Sequence, residues 1–121
     1  MHLEVTIDVN DASTMIPFWC GVLGYHVEET DPYAGPDRVY WSLVDPSGRG
    51  PRLVIQRVPE PVTSKTRFHL DVHEPDIEAA AARAVGWGAV RIDASPVVEV
   101  GTRWIRMQDP EGNVFCIVEE H

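Results

Sequence analysis

The feature that most constrains this chain is an internal duplication built around two Asp-Pro-x-Gly turns. Near the end, Trp104-Ile105-Arg106-Met107-Gln108 runs into Asp109-Pro110-Glu111-Gly112-Asn113 and then Val114-Phe115-Cys116-Ile117-Val118. Two apolar runs flanking such a turn read as a hairpin: proline pre-sets φ at the second turn position, and Gly112 or Asn113 can take a positive φ. A weaker copy lies upstream, Tyr40-Trp41-Ser42-Leu43-Val44 before Asp45-Pro46-Ser47-Gly48, with a longer loop over Arg49 to Arg52 before Leu53-Val54-Ile55-Gln56. The halves superpose at an offset of about 64 residues, which sets Glu4 on His69, Asp11 on Asp76, Gly24 on Gly88 and Asp45 on Asp109. A repeat of this kind decides the fold.

Each half opens with an alternating stretch. Leu3, Val5, Ile7 and Val9 face one way, and Glu4, Thr6 and Asp8 the other. Likewise Phe68, Leu70 and Val72 alternate with His69, Asp71 and His73. Period two is the mark of a half-buried strand. A helix follows in each half. Met15, Phe18, Trp19, Val22 and Leu23 fall at helical spacing over 14–23, and with Pro17 confined to a first turn the cap belongs at Ser13 or Thr14. Over 76–85 the stripe is Ile77, Ala80, Ala81, Ala84 and Val85, with Pro75 suited to the first helical position. Gly24, and Gly86 or Gly88, end the helices. Further strands are expected at 26–29, 89–92, 96–100, 103–108 and 114–118, and a turn-rich flap at 30–37.

The expectation is an α+β fold of two repeated βαβββ modules. Module 1 covers about 1–58, a Pro-containing linker about 59–65 and module 2 about 66–121, all in a single domain. One module leaves a sheet face uncovered, so two should form a curved mixed sheet with a helix outside each and a cup inside. Ten Lys+Arg against nineteen Asp+Glu give a formal charge of −9, which argues against nucleic acid, whose phosphates need a basic surface. No apolar run approaches the ~20 residues of a membrane span. Nothing at the N-terminus reads as an export signal, and two cysteines are too few for a disulfide scaffold, so a reducing cytoplasm is the expectation.

The candidate chemistry lies on the polar faces of the first strands. His69, Asp71 and His73 share one face of one strand, opposite Glu4, Thr6 and Asp8 of the partner strand. A histidine beside a carboxylate suits proton transfer near neutral pH, whereas the plain alternative is the wet side of a half-buried strand. Cys116 reads as a nucleophile beside a base or as a small buried hydrophobe. Cys20 reads as core or inert. Trp41 and Trp104, taken as equivalent positions of the two halves, read as cup walls around a flat ligand or as core or dimer packing. Asp109 to Asn113 reads as a turn without chemistry.

The duplicated unit, with Phe18-Trp19 and Leu23-Gly24 in its first helix and Asp109-Pro110-Glu111-Gly112-Asn113 near its end, resembles the vicinal oxygen chelate superfamily of glyoxalase I, extradiol dioxygenases and bleomycin-resistance proteins. Lys65-Thr66-Arg67-Phe68-His69-Leu70-Asp71-Val72 and Asn113-Val114-Phe115-Cys116 look most like its glyoxalase-like branch common in actinobacteria. The resemblance implies a divalent metal (Zn, Ni, Fe or Mn) at four cup-facing positions, here Glu4, Gln56, His69 and Cys116, or no metal at all. It implies catalytic roles for His69 and Glu4 and a homodimer, while the strand faces themselves offer Trp41, Trp104, Asp71, His73 and Thr6 as ligand contacts. Cys116 stands where glyoxalases carry a catalytic-side Glu, and a thiol is a poor substitute for a carboxylate base. Three functions follow from the resemblance. One is a metal-dependent lyase or isomerase on a small carbonyl or vicinal-oxygen substrate. Another is metal-free chemistry with His69 as base, and the third is a non-catalytic, drug-sequestering protein.

Overall fold

The computed structural model describes residues 3–30 and 35–120. The expected flap at 30–37 therefore lies partly outside the described residues. Contacts divide the chain into two compact units, Met1–Pro61 and Val62–His121. The first holds β1 (Glu4–Val9), α1 (Ala12–Leu23), β2 (His26–Val27), β3 (Tyr40–Val44) and β4 (Arg52–Arg57). The second holds β5 (Leu70–Glu74), α2 (Ile77–Trp87), β6 (Val90–Arg91), β7 (Val97–Glu99), β8 (Thr102–Gln108) and β9 (Val114–Glu119). The α+β architecture of repeated strand-helix-strand units is the one the repeat implied.

In the first unit the strand order is β1-β4-β3-β2, with β1 parallel to β4 and the other pairs antiparallel. One face carries Val9, Leu43, Leu53 and Ile55, all buried, and α1 packs along β4. Helix α1 turns Ala12, Met15, Phe18 and Trp19 inward, and the last two rings meet edge to face at 5.1 Å. Its cap is Asp11, not Ser13 or Thr14. The Asp11 carboxylate accepts from the Ser13 amide at 3.0 Å and from both neighbouring hydroxyls, so Ser13 and Thr14 serve the cap as donors. Those bonds hold the Asp11 carboxyl below the usual range.

The earlier cap moves Pro17 out of the first turn and inside the helix. There it withholds the amide that would bond the Ser13 carbonyl, a cost borne by the buried stripe on the other face. Pro17 itself is exposed. Pro17→Ala is therefore expected to raise stability by about 1–2 kcal/mol, read as a higher urea midpoint at constant slope. The ~3 kcal/mol propensity gain is reduced by the looser unfolded chain.

The second unit is ordered β5-β9-β8-β6, with β7 also paired to β8. Its covered face carries Ile105, Met107, Phe115 and Ile117, and α2 faces it with Ile77, Ala80, Ala81 and Ala84. Here too the cap differs from expectation. Asp76 takes the position, its Oδ1 accepting from the Ala79 amide at 3.1 Å, which leaves Pro75 outside the helix. The β8–β9 hairpin is closed by the Asp109 turn, with Gly112 supplying the positive φ of 91°. No helix among the described residues is long and apolar enough to cross a membrane.

Candidate functional site on the open face of the second sheet

Strand β5 turns Leu70 and Val72 inward and leaves Asp71 and His73 exposed. It begins two residues later than the alternation suggested. Thr66 Oγ1 both accepts from the Phe68 amide and donates to the Phe68 carbonyl, a local turn that keeps Phe68, 90% exposed, out of the ladder. His69 therefore stands immediately before the strand, exposed.

Because β5 runs parallel beside β9, Asp71 lies opposite Cys116. The antiparallel β8–β9 pair then sets Arg106 opposite Cys116 from the other side. Asp71, Cys116 and Arg106 thus form one row across three strands. The row continues to Asp93, whose carboxylate accepts from the Arg106 backbone amide at 2.9 Å, from Nε at 3.1 Å and from Nη2 at 2.8 Å. At the other end His69 Nδ1 lies 3.1 Å from Asp71 Oδ1. One imidazole nitrogen, one carboxylate oxygen and the Cys116 sulfur all fall within 4.8 Å of one another.

Electrostatics along the row are legible from its chemistry. Burial pushes the Cys116 thiol up, and the Asp71 carboxylate adds to that while the Arg106 guanidinium opposes it. The thiol is therefore held protonated at neutral pH, and its surroundings do not activate it as a nucleophile. The Arg106 guanidinium holds the Asp93 carboxyl below the usual carboxylate range. Trp104 shares the face of Arg106 one row along, opposite Val118, and His73 flanks Val118 from β5.

The remaining candidates lie in the first unit. Glu4, Thr6 and Asp8 are exposed on β1, opposite Arg52, Val54 and Gln56 of β4. Arg52 Nε lies 3.5 Å from Glu4 Oε1, and its two terminal nitrogens pair with Glu28. Gln56 Nε2 donates to Tyr40 Oη at 3.3 Å.

The two ladders can be compared row by row. Asp71 opposite Cys116 corresponds to Thr6 opposite Val54, so Val54 is the counterpart of Cys116, and Gln56 that of Val118. The tryptophans are not equivalent either. Trp104 lies opposite Val118 and corresponds to Tyr40, whereas Trp41 lies opposite Ile55 and corresponds to Ile105. Trp41 is therefore on the face of buried Leu43 and Ile55, with the Arg38 guanidinium over its ring at 5.4 Å. A one-residue difference along a strand reverses the face, and the offset that joins Asp45 to Asp109 already sends Trp41 to Ile105. Arg106 and Asp93 were absent from the sequence-based candidates, although Trp104, Arg106 and Gln108 alternate on one strand face.

Comparison with known proteins agrees with this fold. The family model of the glyoxalase-like domain matches residues 4–118. No curated protein matches the chain. Among solved structures, a glyoxalase/bleomycin resistance protein/dioxygenase family enzyme from Burkholderia phytofirmans PsJN superposes with a TM-score of 0.77 at 21% identity, covering 96% of this chain and 95% of the other. The fosfomycin resistance protein FosX from Listeria monocytogenes gives 0.76 at 13% identity over 100% and 93%. TioX from Micromonospora sp. ML1 gives 0.70 at 18% identity over 100% and 99%. At these identities the structures speak for the fold.

Proposed function

The chain belongs to the glyoxalase-like domain family, and on that footing we propose that it binds a small carbonyl- or vicinal-oxygen-bearing molecule and moves a proton on it, as a lyase or isomerase does, with His69 as the residue that meets the substrate. The observation that carries this reading is the 3.1 Å contact between His69 Nδ1 and Asp71 Oδ1. A carboxylate bonded to one ring nitrogen selects the tautomer protonated there and leaves Nε2 with its lone pair, the arrangement of a general base. His69 is exposed, so a ligand can reach that nitrogen. Trp104 offers a flat apolar wall on the same face.

The family resemblance brings a divalent metal with it, and the His69, Asp71 and Cys116 donors suit a borderline cation. Such an ion, when bound, would polarise substrate oxygens as a Lewis acid. A second reading, sequestration without turnover, draws on Cys116. The thiol held protonated stands where proton abstraction would call for a carboxylate.

Nuclear magnetic resonance in D2O separates the two. Untagged protein mixed with a 2-oxoaldehyde or its hemithioacetal is expected to speed deuterium incorporation at the carbon beside the carbonyl. Chemical-shift changes without exchange would favour sequestration, and the absence of both would refute the proposed function. The proposal includes a cytoplasmic setting, which suits two unpaired cysteines. It also includes a homodimer, and light scattering at micromolar concentration is expected to give twice the chain mass; the single-chain mass would refute the dimer.

A further inference from the structure

The outer edge of β8 is covered in two pieces. β6 pairs with it at Met107 and Gln108, and β7 at Thr102 to Trp104. The Arg106 amide falls between them, and the Asp93 carboxylate takes it at 2.9 Å, standing in for a ladder carbonyl. Asp93 is itself tied down. Arg91 Nε donates to its backbone carbonyl at 2.6 Å, and the terminal nitrogens of Arg91 hold Glu78 of α2. The Asp93 side chain is 11% exposed, against 51% for Arg106. A carboxylate fixed by the backbone therefore holds an accessible guanidinium in one orientation, which lowers the entropy a ligand must remove to bind it.

Arg106 engages Asp93 through one edge alone. Nε and Nη2 face the carboxylate, and Nη1 makes no hydrogen bond to a described residue. A guanidinium carries five donors in a rigid plane. Nη1 and the second N–H of Nη2 thus leave an open fork, matched to the two oxygens of one planar anion. The fork belongs to the open face, which Arg106 shares with Asp71, Cys116 and Trp104.

We infer that Arg106 anchors a carboxylate of the substrate, so that the molecule handled on this face is an oxo acid with its carbonyl end toward His69 and its carboxylate on the guanidinium fork. The inference rests on the proposed function and names the substrate class of that site. A singly charged carboxylate suits the row better than a phosphate. Asp93 already offsets the charge of Arg106, and Asp71 lies in the same row, so a second negative charge on the ligand meets repulsion. Strands β5 and β8 lie two strand spacings apart, roughly 10 Å, so the carbonyl and carboxylate must be joined by a short carbon chain.

The test measures dissociation constants of the untagged full chain for levulinate and its two higher homologues. Each is paired with its methyl ester, which keeps the carbonyl and removes the charge. At least one acid is expected to bind about tenfold more tightly than its ester, the worth of a charge-assisted hydrogen-bonded pair at an accessible site. Arg106→Gln should bring that ratio to about one and leave ester binding unchanged. Arg106→Lys keeps the charge without the fork and should fall between; it decides by the same ratio if the Gln variant does not fold. No acid bound, equal binding of acid and ester across the series, or a ratio that survives Arg106→Gln would each overturn the inference. Inorganic phosphate competing more strongly than acetate would overturn the choice of a carboxylate. An acid preference that depends on Arg106, without deuterium exchange on any substrate, would refute the proposed proton transfer and leave the anchor standing. Exchange on the neutral 2-oxoaldehyde with no acid preferred over its ester would do the reverse.

Discussion

Asp109→Ala is expected to cost the protein about 3–5 kcal/mol, read as a large fall in urea midpoint with little change in slope. Asp109 is 1% exposed, although it carries a polar carboxyl group and sits in a turn. Its Oδ1 accepts from the Glu111 amide at 3.0 Å and the Asn113 amide at 2.9 Å, and its Oδ2 accepts from Asn113 Nδ2 at 2.8 Å. The backbone closes the same loop, Asp109 N to Asn113 O at 2.8 Å and Gly112 N to Asp109 O at 3.0 Å. Removing the carboxylate strands two main-chain donors where water reaches poorly, at about 1–3 kcal/mol each.

The loss also reaches the site, because this turn sets the register of β8 and β9 and hence places Arg106 opposite Cys116. Asp109→Asn keeps an acceptor at Oδ1 and should lose much less. Asp45, the counterpart in the first unit, accepts from the Ser47 and Gly50 amides but is more open to solvent, so Asp45→Ala should cost well below the Asp109 value. Equal losses at the two turns would show that burial does not set the cost.

The equivalence of those two aspartates was readable in the sequence, and it carried most of the fold with it: both helices, both hairpins and the α+β class. What failed was local competition and long-range register. At each helix start two rules compete, proline in the first turn and aspartate at the cap. The carboxylates of Asp11 and Asp76 win by satisfying backbone amides, leaving Pro17 inside one helix and Pro75 outside the other. Trp41 and Trp104 look alike because each precedes a turn, but they differ by one position relative to it, and one position exchanges the faces of a strand. The longer loop after Asp45 hid the row shift that parts Gln56 from Cys116. The His69–Asp71 pair was legible as simple alternation. Asp93 reaching Arg106 was not, since nothing near either residue announces a bond across strand pairings that only the folded sheet brings about.

That same alternation makes the functional prediction a differential one. His69→Ala is expected to lower turnover on a carbonyl substrate by about 10²–10⁴-fold, the usual worth of a positioned general base. The thermal midpoint should barely move, because the side chain is 46% exposed and its described partner is the similarly exposed Asp71. His73 is the natural control. It lies on the same face two residues along, but it flanks Val118 rather than Cys116, and no carboxylate is placed to orient it among the described contacts. His73→Ala should therefore stay close to wild type. Asp71→Asn should fall between, since the amide can still bond the ring but favours the wrong tautomer less decisively than a carboxylate excludes it. Turnover and melting measured on the same preparations decide the matter. If His69→Ala remains as active as wild type while Trp104→Ala loses ligand binding, the face works by apolar contact, and the imidazole is only its wet edge.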